Sequence, residues 1–254
     1  MLRLVAATSL ALFASCSQDG QADIARGNVL ASRGRLEEAE RAYRAAAAAA
    51  PRDPRPRELL GHLLFDRHQG AGARAAYQDA LALDRDSVEA LIGLARVDAG
   101  EGHPGAAMDW LGRVLARSPD NLYALLSRAN LALQRRAPTD VEQALADTAR
   151  AMTVDPRHPA VLSARARTLL AARDPEGALE VAALLERAHP ESPLGPYSRA
   201  QVAAAQGDAA LALNELRAAR QKAGSAWRPA EVRADPSLAG ISADPGFTLL
   251  LQGP

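Results

Sequence analysis

The sequence predicts an all-α protein, a stack of about six helical hairpins followed by a C-terminal capping segment. Three observations carry this. First, alanines recur at a fixed step. Ala39, Ala73 and Ala107 are spaced by 34 residues, as are Ala144, Ala178 and Ala212, and only the step from Ala107 to Ala144 is longer, at 37. Second, the residues between them follow helical spacing. In 88–121, Leu91, Leu94 and Ala95 make one apolar face and Ala107, Leu111 and Val114 a second, with Gly102 and Pro104 breaking the pattern between them and Pro119 stopping it. Third, 48% of the 254 residues are apolar but only 4% are aromatic, so the apolar share is largely Ala and Leu, both strong helix formers. Self-similarity at a fixed period is the mark of stacked repeats that share one continuous core.

The units read in order as 20–53, 54–87, 88–121, 122–158, 159–192 and 193–226, with 227–254 as cap. In the first, the second helix covers 36–50. Glu37 and Arg41, and Glu40 and Arg44, are placed four apart in the favoured order. Pro51, Pro54 and Pro56 force the connection to the second unit. The turn of the second unit carries Gly70 and Gly72, which suit a positive φ. The fourth unit holds three extra residues within 134–140, expected in the loop between its helices, with Thr139 or Asp140 as N-cap of the helix that follows. The fifth turns at 173–177 and the sixth at Gln206, Gly207 and Asp208, with Pro196 in the first turn of its first helix. In the tail, Asp235-Pro236 and Asp244-Pro245 each read as an N-cap followed by a first-turn proline. Ile241, Phe247, Leu249 and Leu250 are expected to cover the open end of the last hairpin. A partner-recruiting motif is the alternative reading of this tail.

Numbered within a unit, Gly27 and Gly61 hold position 8, and Gly34, Gly102 and Gly207 hold position 15. Tyr43, Tyr77 and Leu111 hold position 24, and Pro51, Pro119, Pro156 and Pro190 hold position 32. Over roughly 20–226 the chain thereby resembles the tetratricopeptide-repeat (TPR) family, whose 34-residue hairpins carry small residues at 8, 20 and 27 and proline at 32. The resemblance implies a right-handed α-solenoid whose first helices line a concave groove, chiefly through positions 2, 5, 9, 12 and 13. Position 9 is then Asn28, His62, Arg96, Asn130, Arg167 and Gln201, polar throughout. Positions 5 and 12 supply Ile24, Glu58, Phe65, Ile92, Leu126, Leu133, Leu170 and Tyr197. An apolar trough with a polar spine suits a partner peptide or helix, with Phe65 and Tyr197 as aromatic anchors. Lysine is absent from this set, which argues against the carboxylate clamp some cochaperones of the family use. Arg26, Arg128, Arg165 and Arg199 stand at position 7, where the family usually has leucine. Either their stems run past the neighbouring helix to place the guanidinium at the rim, or the helix phase shifts in the last three units.

Chemistry is not signalled. His62, His68, His103, His158 and His189 form no metal-binding spacing, and a single cysteine completes no zinc site. No phosphate-binding loop or nucleophile elbow occurs, so neither metal, cofactor nor catalytic residue is expected. Thirty basic residues balance thirty acidic ones, which gives no global field toward nucleic acid. All basic residues but Lys222 are arginine, consistent with carboxylate recognition or with biased codon usage.

The N-terminus gives a location. A short basic start at Arg3, an apolar run over 4–13 and small residues before Cys16 read as an export signal. With the thiol directly after Ala14-Ser15, 1–15 resembles a bacterial lipoprotein signal and 16–19 a short tether, although Phe13 stands where leucine is usual. An ordinary secretory signal is the alternative. Acylation of Cys16 would anchor the chain to a membrane, and Ser17 after it implies the outer membrane by the same resemblance. The expected protein is a non-enzymatic scaffold of the bacterial cell envelope that binds other envelope proteins, such as those of pilus or secretion-system assembly. The alternative is an accessory subunit of an envelope enzyme complex in cell-wall or polysaccharide synthesis.

Overall fold

The structure, a computed structural model, describes residues 20–135 and 138–252. Cys16 and the expected signal segment lie outside them. All regular structure among the described residues is helical. Its elements are α1 (20–32), α2 (Leu36–Ala49), α3 (Arg55–Asp66), α4 (Gly70–Leu83), α5 (Val88–Gly100), α6 (Pro104–Arg117), α7 (Leu122–Arg135) and α8 (Pro138–Val154). They continue with α9 (Pro159–Ala171), α10 (Pro175–Ala188), α11 (Leu194–Ala205), α12 (Ala209–Ala223), α13 (Pro229–Ala234), a 3-10 segment Pro236–Ile241, and α14 (Pro245–Leu251). The chain forms two compact units, one ending at Pro119 and the other beginning at Asp120.

In the first unit α1 to α6 make three hairpins. Position 20 is fully buried in each, as Ala39, Ala73 and Ala107, and position 27 likewise, as Ala46, Ala80 and Val114. The short connections need one left-handed residue at position 15, supplied by Gly34 (φ 73°), His68 (φ 58°) and Gly102 (φ 81°). The expected positive φ at Gly70 and Gly72 is therefore corrected. The strain falls on His68, and both glycines lie inside α4. The expected Glu37–Arg41 pair is replaced by one across hairpins, since Arg67 reaches Glu37 at 3.2 Å and Glu40 at 2.7 Å. Glu40 does hold Arg44, at 2.8 Å.

The second unit holds three more hairpins, α7/α8, α9/α10 and α11/α12, again with small residues buried at position 20 (Ala144, Ala178, Ala212). Arg173 (φ 62°) and Gly207 (φ 81°) take the left-handed turn position, and Gly224 (φ 52°) ends α12. The three extra residues of the fourth hairpin do not lengthen a loop. They extend α8 to 17 residues, against 14 in α10. Thr139 and Asp140 thus lie within the first turn rather than capping it, and the connecting residues 136–137 are outside the described set. The tail closes the end of the last hairpin. Val232, Leu238, Ile241, Phe247, Leu250 and Leu251 bury against Ala200, Ala204, Leu213 and Leu216, while Leu249 is 67% exposed and takes no part. Asp235 and Asp244 cap as expected, accepting from the backbone N–H of Ser237 at 2.8 Å and of Gly246 at 2.7 Å.

Within each unit the first helices of successive hairpins pack on one another: α3 on α5, α7 on α9, and α9 on α11. No comparable packing joins successive second helices among the described residues. The first-helix side is the crowded, inner side of each unit, and residues pointing away from the hairpin interior there share one face.

Candidate partner-binding surface

In the first unit the surface is built from behind by two tyrosines. Gly27 and Gly61 leave no side chain where the rings of Tyr43 and Tyr77 cross the first helices; a Cβ at either position would run into the ring. The hydroxyls therefore reach position 9. Tyr43 Oη donates to Asn28 Oδ1 at 2.8 Å, and Tyr77 Oη lies 2.9 Å from His62 Nδ1 with the two rings edge-to-face. Burial holds the His62 pKa below its usual value. On the same face, Phe65 lies under the Arg96 guanidinium, 4.2 Å from its centroid, and Arg96 sits 3.5 Å from Asp66. Stacking of this kind fixes a cation without removing its charge. Glu58, one turn before His62, accepts from Ser87 Oγ at 2.6 Å, and Ser87 Oγ in turn caps α5 at Ala90 N–H. Burial pushes the Glu58 carboxyl above its usual range. Glu58, His62, Phe65, Ile92 and Arg96 are half-buried and together on this face; Asn28, on α1, is exposed.

In the second unit Leu126, Asn130 and Leu133 follow one another along α7, all half-buried, and Arg167 on α9 donates from Nη2 to Asn130 Oδ1 at 2.6 Å. Tyr197 and Gln201 on α11 are differently placed. Both donate to Asp235 Oδ2 at 2.7 Å, and Gln201 is only 1% exposed. Their polar atoms are committed to the tail. Burial and the Asp235 carboxylate push the Tyr197 hydroxyl pKa far up.

Three of the four position-7 arginines do not reach a rim, whereas Arg26, on α1, is exposed. Arg128 forks onto Asp147 at 2.8 and 2.6 Å, and Arg199 onto Glu215 at 2.9 and 2.9 Å with a further bond to Glu186. Arg165 donates to Leu145 O at 3.0 Å and Thr148 Oγ1 at 3.3 Å. They point back at second helices because an acidic or carbonyl acceptor waits there. The helix phase is unshifted, since position 8 is buried at Ala129, Ala166 and Ala200.

Two features lay beyond sequence reasoning. Asp235 was legible as a cap, through one oxygen, but not as the acceptor for two groove residues through the other. Asp98, 4% exposed, accepts from Arg74 at 2.7 Å and from Trp110 Nε1 at 2.8 Å, and Arg74 also holds Glu101 at 2.6 Å. His103 completes a cluster with Asp98 and Glu101 whose ligand-type atoms lie within 4.8 Å of one another. The arginine already supplies the positive charge between these carboxylates, so the cluster is accounted for as an ion-pair network between hairpins.

Two family models for tetratricopeptide repeats match the sequence, at residues 64–131 and 4–54. The hairpins have the family's period, its buried small positions and its turn. The chain is a tetratricopeptide-repeat protein. Among solved structures, a TPR protein from Parabacteroides merdae superposes with a TM-score of 0.69 at 16% identity, covering 92% of this chain and 98% of that one. PilW, described as a widely conserved type IV pilus biogenesis factor, gives 0.66 at 16%, covering 87% and 97%. YrrB, a TPR protein with an unusual peptide-binding site, gives 0.58 at 19%, covering 71% and 91%. At these identities the likeness is one of fold. No curated protein matches the sequence. Among the described residues no helix of this TPR chain is long and apolar enough to cross a membrane.

Proposed function

We propose that this TPR protein is a non-enzymatic protein–protein interaction scaffold of the bacterial cell envelope, holding a partner peptide or helix against its first-helix faces. The observation that carries the reading is the pairing of Arg96 with Phe65, a half-buried cation laid on an aromatic ring amid apolar neighbours such as Ile92. Such a group binds a carboxylate or carbonyl while the ring and Ile92 take an apolar side chain. In the second unit Leu126, Leu133 and Asn130 offer the same mixture. Acylation at Cys16 would tether the scaffold, at the outer membrane by the Ser17 criterion, and the sequence pattern of 1–16 supports it. The similarity in fold to a pilus biogenesis factor supports a role in assembling an envelope machine.

The test is affinity capture from envelope extract with identification by mass spectrometry. It compares the natural chain with the Arg96→Ala, Asn130→Ala double variant. Partners captured by the natural chain are expected to be depleted in the variant, with helical circular dichroism preserved. Equal capture would overturn this surface as the binding site.

A further inference from the structure

We propose that the outer face of α1 is a docking site for one amphipathic helix of a partner protein, a helix that carries an acidic residue beyond a small and a branched apolar one. The site lies outside the groove and does not depend on it; it belongs to the chain from which 1–15 have been removed. Positions 3, 7 and 10 make this face, as Ala22, Arg26 and Val29. Steps of four and three residues align them in one stripe along the helix, and all three are exposed. In later hairpins these positions receive the preceding second helix. In α5 they are Ala90, Leu94 and Val97, buried in one cluster with Ala73, Ala76 and Ala80 of α4. In α11 they are Gly195, Arg199 and Val202, and α10 packs on them. Val202 is 1% exposed, whereas Val29 is 48% exposed. Among the described residues no helix precedes α1, so it presents a stacking face with nothing stacked on it.

The α10–α11 contact shows what such a face accepts, because α11 matches α1 position by position: Gly195 for Ala22, Arg199 for Arg26 and Val202 for Val29. Val202 packs with Ala178 and Val181 of α10, and Arg199 bonds Glu186. Gly195 faces the stem of the same glutamate, where a small residue lets the two helices close. The complementary helix thus reads small at i, apolar at i+3 and acidic at i+8, as in Ala178, Val181 and Glu186. Arg26 is the group that calls for the acid. Arg128 and Arg199 find acids of their own hairpins at position 23, Asp147 and Glu215, but the first hairpin has Ala42 there. Glu38, which feels the charge of Arg26, is bonded to Arg35 at 2.6 Å. A second copy of the chain cannot stack its last hairpin on this face, since Leu213 and Leu216 of α12 are buried under the tail. The helix therefore comes from another protein.

Fluorescence anisotropy tests this with the processed chain, purified from the cell envelope in detergent. The probe is a labelled peptide of residues 174–189, stapled on its exposed side because so short a helix is marginal alone. The peptide is expected to bind, and its Glu186→Gln form about fivefold more weakly, the size of one partly screened charge-assisted bond. In the chain, Arg26→Gln is expected to erase that difference and Val29→Asp to abolish binding. Both variants are expected to keep the natural circular dichroism and melting temperature, since both side chains are exposed. No binding at millimolar peptide, or binding untouched by Val29→Asp, overturns the inference. A dimer in sedimentation velocity that Val29→Asp dissociates assigns the face to a second copy and overturns it. An intact mass that retains residues 2–15 assigns the face to the chain's own N-terminal segment and overturns it too. Arg26 and Val29 are untouched in the capture experiment, so the two readings fail independently.

Discussion

Tyr77 Oη and His62 Nδ1 lie 2.9 Å apart, a contact that spans the two helices of one hairpin and fixes a surface residue from within the core. The geometry depends on absent side chains. Gly61 in the same hairpin and Gly93 in the next both face the Tyr77 ring, which is fully buried between them.

Gly93→Ala is therefore expected to destabilise the protein by about 1–3 kcal/mol, the usual cost of overpacking, although alanine is the better helix former. Gly100→Ala is the control, because a Cβ there meets nothing within 4 Å. Urea denaturation of both variants checks this: a Gly93→Ala midpoint equal to or above the natural one would refute the packing account.

His62 makes stability depend on pH. Its pKa is lowered in the folded state, chiefly by burial, with Arg96 acting in the same direction and Glu89 and Asp66 against. The unfolded chain then binds more protons as pH falls through about 6.5, so stability declines there and levels off below the folded pKa. Melting temperatures between about pH 7.5 and 6.0 are expected to fall more for the natural chain than for His62→Asn. Identical profiles would show that His62 does not titrate as placed.

Asp147 is 3% exposed at the side chain and bears the forked Arg128. Asp147→Ala is expected to cost about 3–5 kcal/mol by stranding a half-buried guanidinium. The double variant Arg128→Leu, Asp147→Leu is expected to recover most of that loss. A double variant no more stable than Asp147→Ala would show that the cost lies in packing rather than in the stranded charge.

The tether is tested separately. Cys16→Ser is expected to move the chain from the membrane to the soluble fraction of cells that express it, and metabolic labelling with a fatty-acid analogue is expected to vanish with it. Unchanged fractionation would leave the scaffold reading intact and remove the lipid anchor from it.

The helical stack was legible because its determinants are short-range and periodic. Ala39, Ala73 and Ala107 announce close packing by size alone, and their burial follows. The same count picked out the half-buried positions Glu58, His62 and Phe65 on α3, Ile92 and Arg96 on α5, and Leu126, Asn130 and Leu133 on α7. What escaped was every feature in which one position serves two distant partners. Nothing local distinguishes Asp235 from Asp244, since both cap the helix that follows them, yet only Asp235 is given a second role by Tyr197 and Gln201. Composition also misled at His68: glycines nearby suggested where the left-handed residue should be, but the turn fixes it by position, and the chain has histidine there. The fourth hairpin's insertion went into a helix because residues 138–140 extend α8 by a turn that buries Asp140.

The ion pairs that join hairpins carry a consequence for how such a chain can change. Arg67 needs the acids of the hairpin before it, Arg74 needs Asp98 of the hairpin after it, and Arg199 bonds Glu186 of its predecessor as well as its own Glu215. The hairpins share a period but not an interface. Deleting the second hairpin would leave Glu40 without Arg67 and Asp98 without Arg74, and moving the sixth would part Arg199 from Glu186. Within each unit, charge thus ties these hairpins to particular neighbours, a constraint that the 34-residue regularity does not display.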